Sequence, residues 1–507
     1  MGVVRKNIIA NYAGSVWTTL MGFIFIPIYI KFLGVESWGL IGIFTMLQMV
    51  LGLLDMGLSS TLNREMAKLS GVKDKEAEMN NLLRTFELVY WGIAILAGII
   101  VICLSPVLTH YWIKAEHIPV RTVQQAITIM GIIIAIQLPV GLYSGGLLGL
   151  QRQVILNVVN VIISTLRGAG AVLILWLIYP SIRNFFIWQI VISLINVVLV
   201  SLLLWRRMPK TQNKPVFQKK ILRRVWRFAA GMSGISLFGI LLTQMDKIIV
   251  SKMVTLENFG YYMLASSIAV SLGRLISPVF ISIYPRFTQL VSLDRQEDLK
   301  QLYHRISQFI AVIILPIACI IALFSYEIVL LWTRDPVIAE KSKTIVTLLI
   351  CGTAINGLMH PPYALQLGFG WTRLSFFKNI IAVVVMVPLI IWLTHAFGPA
   401  GAAATWLIIN LGYFFFEIPV MHLKLFPKEK LRWYAQDVFL PLSACLVTAG
   451  LFRILIQHSH SSLVNVILLV VVLLVTFMVT MIVTPQTRKL LVENLENFRK
   501  MKIFFKR

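Results

Sequence analysis

Residues 463–484 read LVNVILLVVVLLVTFMVTMIVT, a stretch without a charged side chain that is long enough to cross a lipid bilayer as one helix. Apolar stretches of similar length recur along almost the whole chain. Of its 507 residues, 58% are hydrophobic and 13% are charged, and the mean hydropathy is +0.83. A soluble globular protein carries about 25% charged residues, and a disordered chain is far less apolar. We therefore predict an all-α polytopic membrane protein.

A window of about 19 residues identifies fourteen candidate transmembrane spans. They lie at about residues 9–30, 39–62, 86–109, 122–148, 154–178, 184–205, 228–250, 260–284, 306–331, 344–367, 376–397, 400–422, 437–456 and 463–484. Of the 46 Lys and Arg residues, 34 fall in the termini and loops of one side and nine in those of the other. Because basic loops remain in the cytoplasm, we expect both termini to be cytoplasmic.

The remaining composition excludes several other classes of protein. The net charge of +25 could indicate nucleic acid binding, but the charges lie in short loops between spans, where they set topology, so no nucleic acid partner is expected. The four cysteines lie inside spans and form neither a disulfide framework nor a metal-binding spacing. His458 and His460 are interpreted as a surface pair rather than a metal site. Since there is also no phosphate-binding loop and no hydrolase motif, we predict neither an enzyme nor a resident cofactor.

An internal repeat divides the chain. Leu33–Gly39 (LGVESWG) resembles Val254–Gly260 (VTLENFG), and Gly149–Asn160 recurs loosely as Gly368–Asn379. Each repeat contains six spans, which predicts two bundles of equal orientation with a transport path between them. The predicted domains are a six-helix bundle at 1–205, a basic amphipathic linker at 206–227, a second bundle at 228–422, and two extra spans with a basic tail at 423–507. The linker is either a helix lying against anionic lipid or a solvated connector.

Polar residues inside the spans are the candidates for function. A charge at the bilayer centre costs about 2.5–3.5 kcal/mol, so it needs a partner or a water-filled cavity. The candidate substrate-binding residues are Asn11, Asp55, Arg64, Asn160, Arg167, Asp246, Lys247, Arg274 and Arg286. The uncharged members could instead only bond between helices, and Arg64 and Arg286 could extend to the membrane surface. Glu417, beside Pro419, is ambiguous. An excess of cations favours an anionic substrate such as a lipid pyrophosphate, although other organic anions also fit.

Several short motifs, in this order, carry a resemblance to a known family. They are Asn7–Tyr12 (NIIANY), Tyr29–Gly34 (YIKFLG), Leu54–Ser59 (LDMGLS) with Asn63 and Arg64 after it, and Gln244–Val250 (QMDKIIV). Together with the fourteen-span plan, this pattern resembles the polysaccharide-transport flippases of the Wzx type. The resemblance covers essentially the whole chain.

The resemblance implies membership of the flippase superfamily that includes the multidrug (MATE) exporters. It implies two six-helix bundles around a V-shaped cavity and alternating access without ATP, with possible coupling to an H⁺ or Na⁺ gradient. The substrate would be an undecaprenyl-diphosphate-linked oligosaccharide, moved across the bacterial inner membrane for O-antigen or related surface polysaccharide. Membrane lipid and the polysaccharide polymerase and ligase would be partners. The matching cationic cavity positions would be Arg64, Arg167, Lys247 and Arg274.

Two other functions remain open. A multidrug exporter has the same fold but needs acidic rather than basic cavity residues. A non-transporting membrane subunit of a polysaccharide synthase needs no cavity charge and should tolerate neutralisation of the cations.

Overall fold

The computed structural model describes residues 2–55, 57–72, 74–223, 243–455 and 462–493. These residues are overwhelmingly α-helical and contain no β-strand. Twelve helical segments among them are long and apolar enough to cross a membrane. The prediction of an all-α polytopic membrane protein is therefore confirmed. The chain divides into two compact units, residues 1–260 and 261–507.

The twelve segments and the fourteen predicted spans differ at two places. The first predicted span and most of the second lie on one apolar segment, Ala13–Asp55, in which Gly34 interrupts the helix with φ 81° and ψ 164°. The end of the second predicted span lies on the next helix, Leu58–Leu69. That positive φ suits glycine, since a side chain there would be strained. The seventh predicted span lies mostly outside the described residues, and only its end, at residues 243–253, is seen to be helical. Each of the other eleven predicted spans falls on one membrane-spanning segment.

The first unit packs around one central helix. Its elements are α1 (Gly2–Leu51), a 3₁₀ turn (Gly52–Asp55), α2 (Leu58–Leu69), α3 (Glu76–Val107) with a π-helical turn (Leu108–Trp112), α4 (Val120–Gly149), α5 (Gln153–Leu177), α6 (Ile182–Trp205) and α7 (243–253). Helix α4 packs against α2, α3 and α6, and α5 packs against α1. Gly98 and Gly131 let the backbones of α3 and α4 approach closely, as small residues do between membrane helices.

The second unit is built around α9. Its elements are α8 (Leu256–Ser292), of which residues 256–260 belong to the first unit, α9 (Gln296–Leu323), α10 (Ser325–Thr333), α11 (Pro336–Leu358), α12 (His360–Gly368), α13 (Thr372–Phe397), α14 (Pro399–Gly412), a π-helical turn (Tyr413–Glu417), α15 (Ile418–Leu425), a 3₁₀ turn (Pro427–Glu429), α16 (Lys430–Arg432), a second π-helical turn (Trp433–Phe439), α17 (Leu440–Leu455), α18 (Ser462–Val483) and α19 (485–493). Helix α9 packs against α11, α17 and α18, so the two extra spans pack onto this unit.

Large apolar side chains cover the outside of both units. Ile178 is 71% exposed in the first unit, and Phe416 and Ile454 are 76% and 80% exposed in the second. Such exposure would be unfavourable in water and is what lipid contact requires.

Segments predicted to lie on one side of the membrane meet in the structure. In the first unit, Asn80 donates to the carbonyl of Pro209 at 2.9 Å, and the Val216 N–H donates to Asn81 at 2.8 Å. The linker therefore lies along the start of α3. Within it, Phe217 is 48% exposed and precedes the helical residues 219–223, whereas Ile221 is buried in the core of the unit. The rest of its predicted apolar face, Val225 and Phe228, lies outside the described residues.

The opposite end of the first unit is joined by a different set of bonds. The Leu256 N–H donates to the carbonyl of Lys114 at 2.8 Å, and the Trp112 indole donates to the Ser251 hydroxyl at 3.0 Å. The buried Glu36 carboxylate accepts the N–H of Glu116 at 2.6 Å. These segments follow predicted spans one, three and seven, which agrees with their assignment to one side.

The two copies of the repeated motif cross each other at this end. A Cβ added at Gly39 would overlap the carbonyl oxygen of Leu256, and one added at Gly260 would overlap that of Val35. Gly39 aligns with Gly260 in the repeat, and Val35 aligns with Leu256. The contact is therefore reciprocal, as expected for segments related by a local two-fold axis. We call these four residues the glycine crossing.

Candidate functional site

Polar side chains join α1 and α5 along the first unit. Asn157 donates to Asn11 at 2.5 Å, and the Tyr29 hydroxyl donates to the carbonyl of Gly168 at 3.3 Å. Residue numbers rise together along the two helices, so α1 and α5 run in the same direction, as predicted for two odd-numbered spans. Asn11 and the polar face of α5 are thus brought together in the structure, and their assignment to substrate binding stays a prediction.

Arg167 is the charged group of this face that is placed most unusually. It lies near the middle of α5, partly buried and close to the buried Tyr29. Its Nε is buried and finds no hydrogen-bond acceptor among the described residues. A guanidinium held in an apolar region with a donor unused is suited to binding an anion that arrives from outside. Asn160 lies exposed on the same side of α5, seven residues earlier.

An aromatic cluster borders Arg167. The Tyr29 ring stacks on Phe25 with a centroid distance of 6.1 Å and meets the edge of Phe185 at 5.1 Å. The Phe25 ring also occupies the space beside Gly168, where a Cβ would overlap it. This packing fixes the position of α5, and hence of Arg167, against α1.

Asp55 has a local role in the structure. Its carboxylate accepts the Ser59 N–H at 3.0 Å, the Ser59 hydroxyl at 2.5 Å and the Tyr90 hydroxyl. It therefore caps the start of α2, where backbone N–H groups need an acceptor. Arg64 is exposed and lies 3.9 Å from Glu65.

Asp246 and Lys247 form a close ion pair on α7. Their side chains are 3.0 Å apart and each is 15% exposed, and Lys247 also donates to the carbonyl of Thr243 at 3.1 Å. In the second unit, Arg274 and Arg286 lie exposed on α8, and Arg286 donates to Gln289 at 2.6 Å. The assignment of these residues to substrate binding stays a prediction.

The second unit contains a buried ion pair that the sequence did not single out as a site. Lys378 lies 3.2 Å from Glu417, with side chains 19% and 6% exposed. The ammonium group also lies 4.7 Å from the ring centroid of Tyr413. A desolvated cation is stabilised both by the carboxylate and by the electron-rich ring face. In the sequence Lys378 lies at the start of the predicted span 376–397, where a charge is unremarkable, and in the structure it lies inside α13.

A cavity of about 220 Å³ opens beside this pair, lined by Asn356, Met359, His360, Tyr363, Lys378, Asn379, Tyr413 and Glu417. Asn356, His360 and Tyr363 all lie within the tenth predicted span, residues 344–367. On the far side of Glu417, Gln366 donates to the carboxylate at 3.2 Å and in turn accepts from Ser375 at 3.0 Å. The cavity therefore presents an ion pair, amides and aromatic rings, which can bind a polar ligand.

The sequence matches a known family over its first part. Residues 4–291 match the family described as "Polysaccharide biosynthesis protein". A candidate O-antigen transporter of Shigella flexneri is 21% identical over 409 residues, which are 80% of this chain and 94% of that protein.

Solved structures share the fold at low sequence identity. The lipid II flippase MurJ in an inward closed conformation aligns with TM-score 0.67 and 13% identity, over 93% of this chain and 97% of that one. A multidrug resistance MATE family transporter in an inward-facing conformation aligns with TM-score 0.66 and 16% identity, over 80% of this chain and 96% of that one. These similarities establish a common fold.

Proposed function

The chain belongs to the polysaccharide biosynthesis protein family, and from this membership we propose that it is a flippase for lipid-linked oligosaccharides. The proposed substrate is an undecaprenyl-diphosphate-linked repeat unit, moved from the cytoplasmic to the periplasmic leaflet of the bacterial inner membrane. The product serves the synthesis of O-antigen or a related surface polysaccharide. The similarity to a candidate O-antigen transporter supports this substrate class.

The proposal rests mainly on the environment of Arg167, whose guanidinium is partly buried and has a donor without an acceptor among the described residues. A pyrophosphate presents two anionic groups, and a planar guanidinium can bind such oxygens with parallel hydrogen bonds. Its Nε is buried and finds no acceptor among the described residues. The apolar surroundings strengthen an ionic contact that would be weak in water. In this proposal the lipid tail stays in the bilayer, Arg167 binds the pyrophosphate, and Lys247 and Arg274 are further candidate cations for it.

The transport cycle proposed here needs no ATP. The two repeat halves expose the substrate site first to the cytoplasm, where both termini lie, and then to the periplasm. An H⁺ or Na⁺ gradient supplies the driving force. The polymerase and ligase that use the product act on the periplasmic side.

A multidrug exporter is the second candidate, because a MATE transporter shares the fold. Such a protein must bind organic cations, for which buried carboxylates are suitable. Asp55 is instead occupied by Ser59 and Tyr90, and Glu417 is occupied by Lys378 and Gln366. The unused donor in the first unit favours an anion.

Complementation tests the proposal. The chain is expressed in bacteria that lack their own O-antigen flippase, and surface polysaccharide is measured. We expect the wild type to restore it, Arg167→Ala to lower it at least tenfold, and Arg167→Lys to restore it only in part, since an ammonium cannot bind in the same planar way.

The matched control is Arg152→Ala, which removes an exposed arginine at the start of the same helix and should behave as wild type. Membrane levels of every variant are measured in parallel. Equal restoration by Arg167→Ala would remove this arginine from the mechanism. No restoration by the wild type in several hosts, together with increased drug resistance, would favour the exporter.

A further inference from the structure

A histidine in the second unit is bonded to carboxylates through both of its ring nitrogens. His304 on α9 is fully buried. Its Nδ1 lies 2.5 Å from Asp437, which is also fully buried, and its Nε2 lies 3.0 Å from Glu429. We call these three residues the histidine triad. None of them belongs to the substrate-binding set predicted above.

The geometry fixes how many protons the histidine triad holds. Each of the two nitrogen–oxygen contacts needs one proton, and an ionised carboxylate can only accept. Two protons are therefore shared among the three groups, most simply as an imidazolium between two carboxylates. Losing one of them leaves a lone pair facing a carboxylate inside the protein, which is unfavourable because neither group is solvated.

The histidine triad joins α9 to the C-terminal part of the chain. Gln308, one turn after His304, donates to Asp437 at 2.7 Å and accepts the N–H of Gln486 at 2.7 Å. The Trp433 indole donates to Ser307 at 3.3 Å. These polar bonds, together with those of the His304 ring, thus hold residues 427–439 and the start of α19 on α9.

Solvent reaches the histidine triad from one side. Glu429 lines a cavity of about 580 Å³ between the starts of α9 and α16 and helix α19, the last helix of the described residues. Its carboxylate also lies 3.5 Å from Arg432. The other ionisable groups that surround the triad or line this cavity are Glu297, Asp298, Lys300, Tyr303, Arg305, His422, Lys430, Tyr434, Lys489 and Glu493.

We propose that the histidine triad is a proton-binding site, reached from this cavity, that links the docking of residues 427–439 onto α9 to the pH of the adjacent solution. The protonated ring makes both bonds and holds the segment. Loss of the ring proton breaks one bond and loosens the segment. The claim that the flipping rate follows this docking rests on the proposed function, whereas the docking itself does not.

Hydrogen exchange of the purified full chain in lipid nanodiscs tests the proposal. Amide protection of residues 427–439 is measured at about pH 6 and about pH 8 and corrected for the intrinsic pH dependence of exchange. We expect wild-type protection to fall about tenfold from the lower to the higher pH, because loss of the ring proton breaks one of the two bonds that hold the segment. His304→Gln, which cannot titrate, should show no such change.

His422→Gln is the matched control. His422 is equally buried, but its nitrogens contact the Tyr303 hydroxyl and the carbonyl of Ile418 and no carboxylate. It should respond to pH like the wild type. If His304→Gln does not fold, Glu429→Gln at the rim of the cavity should weaken the response in its place.

The proposal is overturned if wild-type protection is independent of pH, or if His304→Gln keeps the full response. The flipping rate of a lipid-linked oligosaccharide in proteoliposomes is then measured at the same pH values. A pH-dependent exchange without any flipping would contradict the proposed function and leave the proton site standing.

Discussion

At the scale of single residues, Glu87 shows how the first unit holds a buried carboxylate. It accepts the Tyr143 hydroxyl at 2.6 Å and lies 2.8 Å from Arg84. Trp205 donates to the same carboxylate at 3.3 Å, which joins α3, α4 and α6. All of its partners are local to this unit, so the group is structural.

We expect Glu87→Leu to destabilise the protein by about 1–3 kcal/mol, because it leaves the Tyr143 hydroxyl buried without its acceptor. The measurement is the free energy of unfolding in mild detergent. Glu76→Gln, at an exposed position in the first turn of the same helix, is the control and should change little. A Glu87→Leu protein as stable as the control would contradict the structural role.

The sequence reveals single residues only when a charge is conspicuous by itself. Arg167 stands out in the sequence because it lies inside an apolar stretch, and so do Asp246 and Lys247, which are neighbours in another apolar stretch. His304 and Asp437 could not be paired, since they are 133 residues apart and each lies near the end of a span, where a charge is unremarkable. Lys378 was missed for the same reason. Which distant helix ends meet depends on packing, which one sequence does not show.

At the scale of elements, the glycine crossing brings two helix starts into backbone contact. We expect Gly39→Val to cost about 1–3 kcal/mol of stability, because its side chain would overlap the backbone of α8. Thermal unfolding of the purified protein measures this.

Gly22→Ala is the control on the same helix, since a Cβ there meets nothing within 4 Å. Replacing this helical glycine should be neutral or slightly stabilising. Equal effects of the two substitutions would mean that the crossing is not tightly packed.

The positions of the helices were largely predictable, because hydrophobic length alone determines which segments can span a membrane. The break in α1 was harder to predict. Gly34 interrupts a helix that otherwise runs from residue 2 to residue 51, and the sequence suggested a loop at that place. The π-helical turns before α15 and α17 were also not predicted; their buried side chains Phe414 and Trp433 pack against each other in the core.

At the scale of the whole molecule, hydrogen bonds within each unit join helix ends that the sequence assigns to the same side of the membrane. The linker and the start of α3 share one end of the first unit, and the residues around Lys114 and Leu256 share the other. In the second unit, the starts of α9, α16 and α19 meet around one cavity. These groupings agree with the distribution of basic residues.

Cysteine labelling tests the sidedness. In a chain whose four cysteines are replaced, we expect a membrane-impermeant maleimide to label His117→Cys and Glu340→Cys in intact cells. Arg207→Cys and Lys489→Cys should react only after the cells are opened, because basic loops stay in the cytoplasm. Labelling of all four in intact cells would contradict the topology.

The glycine crossing also bears on the history of the chain. If both halves descend from one duplicated gene, Gly39 and Gly260 were once the same codon, and their contact was once the symmetric interface of a homodimer. A substitution at this codon in that ancestor changed the interface at two symmetric positions. After fusion the two positions became free to diverge, yet both remain glycine and still pack against each other's segment. Under that descent, the glycine crossing is what is left of an ancestral dimer interface inside a single polypeptide.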